Sequence, residues 1–416
     1  MRGSEPGKTF YGWWIVVAAF LNFFFVIGII FYGFPVFYAS FVEALGFTRA
    51  QVTQGFFLGF LIVGLPFGLV AGAVIDRVGA KWVILAGVAL VGASLLLMAR
   101  MTKLWQYEAL CVLEVLGYAF AGPIATQVLV ARWFRARRGR AMGIAYLGLG
   151  SGGVVAPMLI NYLIRAHGWE HALEIVAIAL LAVLFPVGIW VTRSTPEEMG
   201  LLPDGATESA ATGVAIADTA SSRVAEAVRT KNFWLILFGS TLAIGAIGAV
   251  IQHFILFLKD QGYSSAVAAR FSTGLLIASL AGRILVGCAV DLVSKKNAMA
   301  VFYFLIGASV VLLMAARVPT VVWAFAAIFG FSMGADYMLV SLVTAECFGT
   351  SSLGKLLALI IMGYSLGQWG FPWVVGKIFD ARHSYDLAWR LTALAGMMGG
   401  LAIYAVSPRR EGARPT

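Results

Sequence analysis

Arg283 is the one charged residue in "LLIASLAGRILVG", residues 275–287. It lies eight residues before Asp291, so on a helix it sits about 12 Å from the polar end, near the middle of a ~30 Å hydrocarbon core. An arginine at that depth is costly unless it faces a water-filled cavity or a partner. Its planar fork matches a carboxylate through two parallel hydrogen bonds. Asp336 in "MGADYML" lies ten residues before Glu346, at a similar depth of about 15 Å by the same rise. Two chemistries follow. The pair neutralises itself structurally, or a protonated Asp336 releases Arg283 to a carboxylate and so couples a proton to an anion. Glu114 in "CVLEVLGYAF" is the other buried acid, read either as a second proton carrier or as a hydrogen-bonded structural residue. Tyr118, Tyr337, Tyr364 and Ser279 are candidate substrate contacts. Each tyrosine offers a ring to a small apolar tail and a hydroxyl to a carboxylate, with helix packing as the alternative. Asn22, Tyr32, Gln252, His253 and Gln368 are weaker candidates, His253 lying near the outer rim.

The bilayer itself follows from composition. The chain has 416 residues, 61% hydrophobic and 12% charged, with a mean hydropathy of +0.89, which places it among integral membrane proteins. Residues 12–42 carry no charge, a run too long for a signal-peptide core. The net charge of +10 is spread between apolar spans without an aromatic-interleaved patch, so nucleic acid is not an expected partner. Cys111, Cys288 and Cys347 have no metal-like spacing, and neither a cofactor nor a metal is expected. No histidine cluster or catalytic serine motif stands out, which argues against an enzyme.

Charge and turn punctuation give apolar stretches near 12–41, 48–74, 82–100, 105–131, 141–164, 170–192, 233–258, 265–290, 298–316, 320–345, 356–379 and 388–407. The expected fold is therefore an all-α integral membrane protein with twelve transmembrane helices in two pseudo-symmetric six-helix bundles. Residues 1–193 form the first bundle, 194–231 a polar cytoplasmic linker with a helical turn series near 221–229, and 232–416 the second bundle with a short tail. Nineteen Lys and Arg fall on the side of the N-terminus and ten on the other, so the positive-inside rule puts both termini and the linker in the cytoplasm of a cell-membrane protein. The halves repeat at an offset of 215 residues: Gly72/Gly287, Asp76/Asp291, Lys81/Lys296, Gly139/Gly354, Gly152/Gly367 and Pro157/Pro372. One shift relating several helical regions argues for duplication. Gly64, Gly68, Gly72 and "GLGSGG" from Gly148 read as close-packing faces. Pro157 and Pro372 are expected to kink equivalent helices.

"GAVIDRVGAK" from Gly72, with its degenerate copy "GCAVDLVSKK" from Gly287, resembles the cytoplasmic loop motif of the major facilitator superfamily. The resemblance extends over essentially the whole chain and implies a gating role for Asp76, Arg77, Lys81 and Asp291, against a plain topogenic loop. "WFRARRGRAMGIAYLG" from Trp133 and "YGWWIVV" from Tyr11 are similar to the monocarboxylate transporter family. That resemblance implies movement of a short monocarboxylate such as lactate or pyruvate together with a proton, by alternating access in the lipid bilayer. Where animal members often carry a lysine and an aspartate, this chain has Val36 and Ser279. An oxalate/formate-type antiporter and a non-transporting carboxylate sensor are the alternatives. One deep arginine favours a single carboxylate over two.

Overall fold

The computed structural model describes residues 10–134, 137–205, 219–289, 293–334, 336–348 and 353–407, with side chains described except at 68–73, 76, 138, 205, 219–223, 287–289, 337 and 353–355. Among the described residues the secondary structure is helical throughout. Among these residues nine helices are long and apolar enough to cross a membrane, ten if the bent pair Pro319–Gly334 and Met338–Phe348 is one span. Two further spans complete the set among the described residues. The helix Arg138–Pro186 turns at Gly168, whose φ of 84° and ψ of 165° suit only glycine, so it comprises two rods. Leu353–Arg382 is a 30-residue helix whose polar residues dilute its hydropathy.

Twelve rods result, labelled here in chain order. In the first half these are α1 (Gly12–Leu45), α2 (49–78), α3 (Ala80–Met98), α4 (Leu104–Trp133), α5 (138–167) and α6 (169–191). In the second they are α7 (Lys231–Asp260), α8 (Ser265–Ala289), α9 (Lys295–Ala315), α10 (319–348), α11 (Leu353–Arg382) and α12 (Asp386–Tyr404). Between α6 and α7 the linker contains a helix, Thr219–Val228. Pro157 and Pro372 both lie inside continuous helices.

By internal contacts the chain forms two compact units. One is Met1–Phe37 with Leu58–Gly213, and the other is Tyr38–Phe57 with Val214–Thr416. Each is built on backbone-close crossings at small residues, the expected glue where lipid removes the hydrophobic drive between helices. In the first unit, a Cβ on Gly148 would stand 2.1 Å from the Phe20 carbonyl oxygen, and one on Gly152 2.3 Å from that of Phe24. This presses α5 against α1 beside a nine-residue π-helical stretch, Phe23–Phe31. In the second unit a Cβ on Gly367 would stand 2.3 Å from the Thr241 carbonyl oxygen, and Gly363 meets the Leu237 side chain, so α11 crosses α7 in the same manner. The 215-residue repeat at Gly152/Gly367 thus marks equivalent helix crossings. Replacing either glycine by valine is expected to cost about 3 kcal/mol or more through overpacking against backbone that cannot move aside. Thermal unfolding of the purified protein in detergent measures it.

The segment 38–57 belongs to the second unit through a dense set of polar contacts. Asp380 of α11 accepts from the backbone N–H groups of Arg49 (3.1 Å) and Ala50 (3.0 Å), capping the start of α2 from another helix. The Arg49 guanidinium donates to Tyr385 (2.7 Å) and pairs with Asp260 (2.6 Å) while lying 3.9 Å from the centre of the Phe379 ring. His253 is buried. Its Nε2 lies 2.8 Å from the Pro372 carbonyl, which only accepts, so Nε2 is the donor and Nδ1, 3.0 Å away, accepts from Tyr385. Tyr38 donates to Gln252 (2.9 Å), Lys259 pairs with Glu43, and Phe56 and Phe57 stack on Trp369 and Trp373.

Candidate substrate and coupling site

Arg283 projects from α8 where that helix crosses α10. A Cβ on Gly334 would stand 2.1 Å from the Ser279 carbonyl oxygen and 3.0 Å from the Arg283 backbone nitrogen. The two backbones touch, and Gly334 is the residue that allows it. Immediately beyond, α10 bends: Pro319–Gly334 and Met338–Phe348 meet at 41°. Asp336 lies at this bend. It is buried, at 2% exposure, and Arg283, itself half-buried, is within electrostatic range of its carboxylate. The Tyr303 hydroxyl of α9 donates to Asp336 Oδ1 and lies 3.3 Å from Ser240 Oγ of α7. Tyr364 of α11 is buried and faces Tyr303 electrostatically. Helices α7 to α11 thus each contribute to one buried polar cluster.

Of the residues the sequence singled out, the second unit gathers Arg283, Ser279, Asp336 and Tyr364. The side chain of Tyr337 lies outside the described residues. Tyr303 and Ser240 were not singled out; "VFYFLIG" around Tyr303 reads as an apolar run, and only the crossing of α9 with α10 brings its hydroxyl to a carboxylate.

The first unit has its own break, in α4. Gly122 takes φ −77° and ψ −152° before Pro123 and splits the helix into Leu104–Ala121 and Pro123–Trp133, as the residue before proline requires. Asn22 of α1 answers the break by donating to the Ala121 carbonyl and, at 2.8 Å, to Thr126 Oγ1. The repeat offset maps Ala121 onto Asp336, so the α4 break and the α10 bend fall at corresponding positions of the two halves. Tyr118 lies just ahead of the α4 break, within electrostatic range of Tyr32 and Tyr146, and Gln127 hydrogen-bonds Tyr146. Glu114 is at 2% exposure, and neither carboxyl oxygen has a hydrogen-bond partner.

Of the candidate gating residues, Arg77 is exposed. Asp76 lies near the end of α2, with its side chain outside the described residues, and Asp291 lies outside them altogether. Lys81 Nζ donates to the Ile189 carbonyl at 2.7 Å and its backbone N–H to Ser194 Oγ at 3.2 Å. It therefore caps the end of α6 where a π-helical turn, Val187–Val191, frees carbonyls. Lys81→Met is expected to lower stability by about 1 kcal/mol through loss of this charged cap, measured as a fall in unfolding temperature.

Among the described residues no cluster of His, Cys, Asp and Glu is arranged to hold a metal. A sequence model of the Major Facilitator Superfamily matches residues 15–368. The chain belongs to that superfamily. It is 26% identical over 411 residues to monocarboxylate transporter 13 of Rattus norvegicus, covering 97% of this chain and 91% of the relative. It is also 26% identical over 300 residues to the MFS-type transporter pytF of Aspergillus terreus, covering 69% of this chain and 92% of that one. Among solved structures it superposes on a D-xylose-proton symporter with a TM-score of 0.72 at 16% identity, covering 97% of this chain and all of the other. At that identity the likeness establishes the superfamily fold. The membrane-embedded, all-helical architecture and the transporter class agree with the sequence expectation.

Proposed function

We propose that this superfamily member carries a short monocarboxylate, of the lactate or pyruvate class, across the cell membrane together with a proton by alternating access of its two six-helix halves, with both termini cytoplasmic. The observation that carries this reading is the buried Asp336 at the bend of α10, bonded by Tyr303 and within electrostatic range of Arg283. Helices interrupted at corresponding positions of two repeats are the best pointer to a transporter's binding site. Arg283 receives the substrate carboxylate in its fork, and Asp336 takes the proton that would otherwise leave two anions competing for one cation. Ser279, Tyr364 and Tyr337 are proposed neighbours of the substrate. Asp76, Arg77, Lys81 and Asp291 are the proposed cytoplasmic gating residues. The similarity to a monocarboxylate transporter over nearly the whole chain supports the substrate class.

Movement of one anion with one proton is electroneutral, so uptake answers to a pH gradient and not to membrane potential. The test is uptake of labelled lactate into proteoliposomes under an imposed inward proton gradient, with and without a potential set by potassium and valinomycin. Uptake driven by the gradient and indifferent to potential supports symport. Uptake that requires an internal anion indicates exchange of the oxalate/formate kind, and binding without movement indicates a sensor.

Glu114, buried with both oxygens unpartnered, is the second acid able to carry the proton. Assigning the proton to Asp336 predicts that Glu114→Gln, which keeps the shape and removes the charge, leaves gradient-driven uptake within about twofold. Loss of that uptake in Glu114→Gln would move the proton to α4.

A further inference from the structure

The Asp336 carboxylate has to be accommodated in two protonation states if it gains and loses a proton in each cycle, and burial makes either state costly without a matching partner. Among the described residues, the charged and titratable groups that act on it are Arg283 from α8, Tyr303 from α9 and, beyond Tyr303, Tyr364 from α11. Tyr303 differs from Arg283 because its hydroxyl both donates and accepts, and from Tyr364 because it bonds the carboxylate directly and has a second hydroxyl, Ser240 Oγ, 3.3 Å behind it. Ser240 is fully buried and Tyr303 is 1% exposed, which keeps bulk water from substituting for either.

We propose that Tyr303 and Ser240 form a reversible hydrogen-bond pair that positions Asp336 in both of its protonation states. When Asp336 is ionised, the Tyr303 hydroxyl donates to Oδ1 and Ser240 donates to the tyrosine oxygen. When Asp336 is protonated, its new O–H donates to the tyrosine oxygen, and the Tyr303 hydroxyl turns to donate to Ser240 Oγ. One proton is added, on the carboxyl; the hydroxyl hydrogens of Tyr303 and Ser240 rotate and stay on their own oxygens. The aspartic acid keeps its place beside Arg283 in either state, while the guanidinium is released to a carboxylate only when the acid is neutral. Tyr303 is thus a positioning residue that acts through Asp336. The inference rests on the proton-coupled reading above and adds to it the pair that makes a buried acid reversible.

The experiment uses the full-length protein in proteoliposomes, with labelled lactate as the probe, in two assays: uptake driven by an inward proton gradient, and lactate counterflow at equal pH on both sides. Counterflow exchanges one loaded carrier for another and does not require Asp336 to lose its proton. Tyr303→Phe is expected to slow gradient-driven uptake about tenfold, the loss of one hydrogen bond to a charged group, while counterflow stays within about twofold. Ser240→Ala should show the same split with a smaller loss, and it carries the test if Tyr303→Phe fails to fold. In an Asp336→Asn background Tyr303→Phe should add nothing, because it acts through the missing charge. An equal loss in both assays, or losses that add in the double variant, would mean that Tyr303 merely packs, and the proposal is overturned. A wild type that moves no lactate overturns the underlying reading. A wild type that is coupled, with Tyr303→Phe equally coupled, overturns only the positioning pair.

Discussion

Arg283→Ala is expected to abolish lactate uptake, by about 100-fold or more at fixed concentration, because truncating one member of a buried charged pair costs roughly 2–5 kcal/mol. The same change leaves Asp336 buried without its cation, so a fall in stability of about 3 kcal/mol is expected alongside. The two effects separate in the double variant Arg283→Ala, Asp336→Asn. With both charges removed, the unfolding temperature should return towards that of the wild type while uptake stays lost. If Arg283 and Asp336 were only a structural pair, the double variant would recover transport together with stability, and the binding role would be refuted. Arg283→Lys sharpens the point. It keeps the charge but replaces a fork with a single rotatable ammonium, and should recover more of the stability than of the uptake. The readouts are uptake in proteoliposomes and thermal unfolding of the same preparations in detergent.

Much of this arrangement can be read in the sequence because the bilayer makes charge expensive. A lone arginine in thirteen uncharged residues and an aspartate in "MGADYML" announce themselves by depth alone. The repeat is legible for a similar reason: a glycine at a backbone-close crossing tolerates no side chain, and Gly152 and Gly367 both sit at such crossings at one offset. What the sequence conceals is whatever depends on which helices cross. Tyr303 belongs to an aromatic run and has no marker of its own, and its meeting with Asp336 spans 33 residues and a turn. The Gly122 break in α4 is visible as a Gly-Pro step, yet the bond that Asn22 makes to the Ala121 carbonyl, 99 residues away, is not. The cap that Lys81 places on Ile189 joins residues 108 apart. In the sequence that lysine belongs to a loop motif, with nothing to indicate the π-helical turn that exposes its acceptor.

Arg49→Ala should loosen the seat of the 38–57 segment on α7 and α11. Arg49 and Asp260 look like ordinary loop charges in the sequence, but the structure joins them through Tyr385 to His253 and leaves the pair only partly open to water, with side-chain exposures of 12% and 33%. Charge-assisted, doubly bonded contacts of this kind are stronger than an exposed ion pair. A loss of about 2 kcal/mol would change the population of the loosened state roughly thirty-fold. Asp380→Ala should act in the same direction and more weakly, since it removes a cap worth about 1 kcal/mol while leaving the guanidinium in place. The measurement is the rate at which a membrane-impermeant thiol reagent, added outside, modifies a cysteine placed at Gln252, which is 5% exposed and bonded to Tyr38, in a protein whose own three cysteines have been replaced. Faster labelling in Arg49→Ala than in the parent, with Asp380→Ala between them, would show that these contacts hold the segment down. Equal labelling in all three would mean that the aromatic stacks of Phe56 on Trp369 and Phe57 on Trp373 suffice without the charges. The order of the two variants matters because it separates the helix cap, which both Arg49 and Ala50 donate through their backbones, from the guanidinium network, which only the Arg49 side chain supplies.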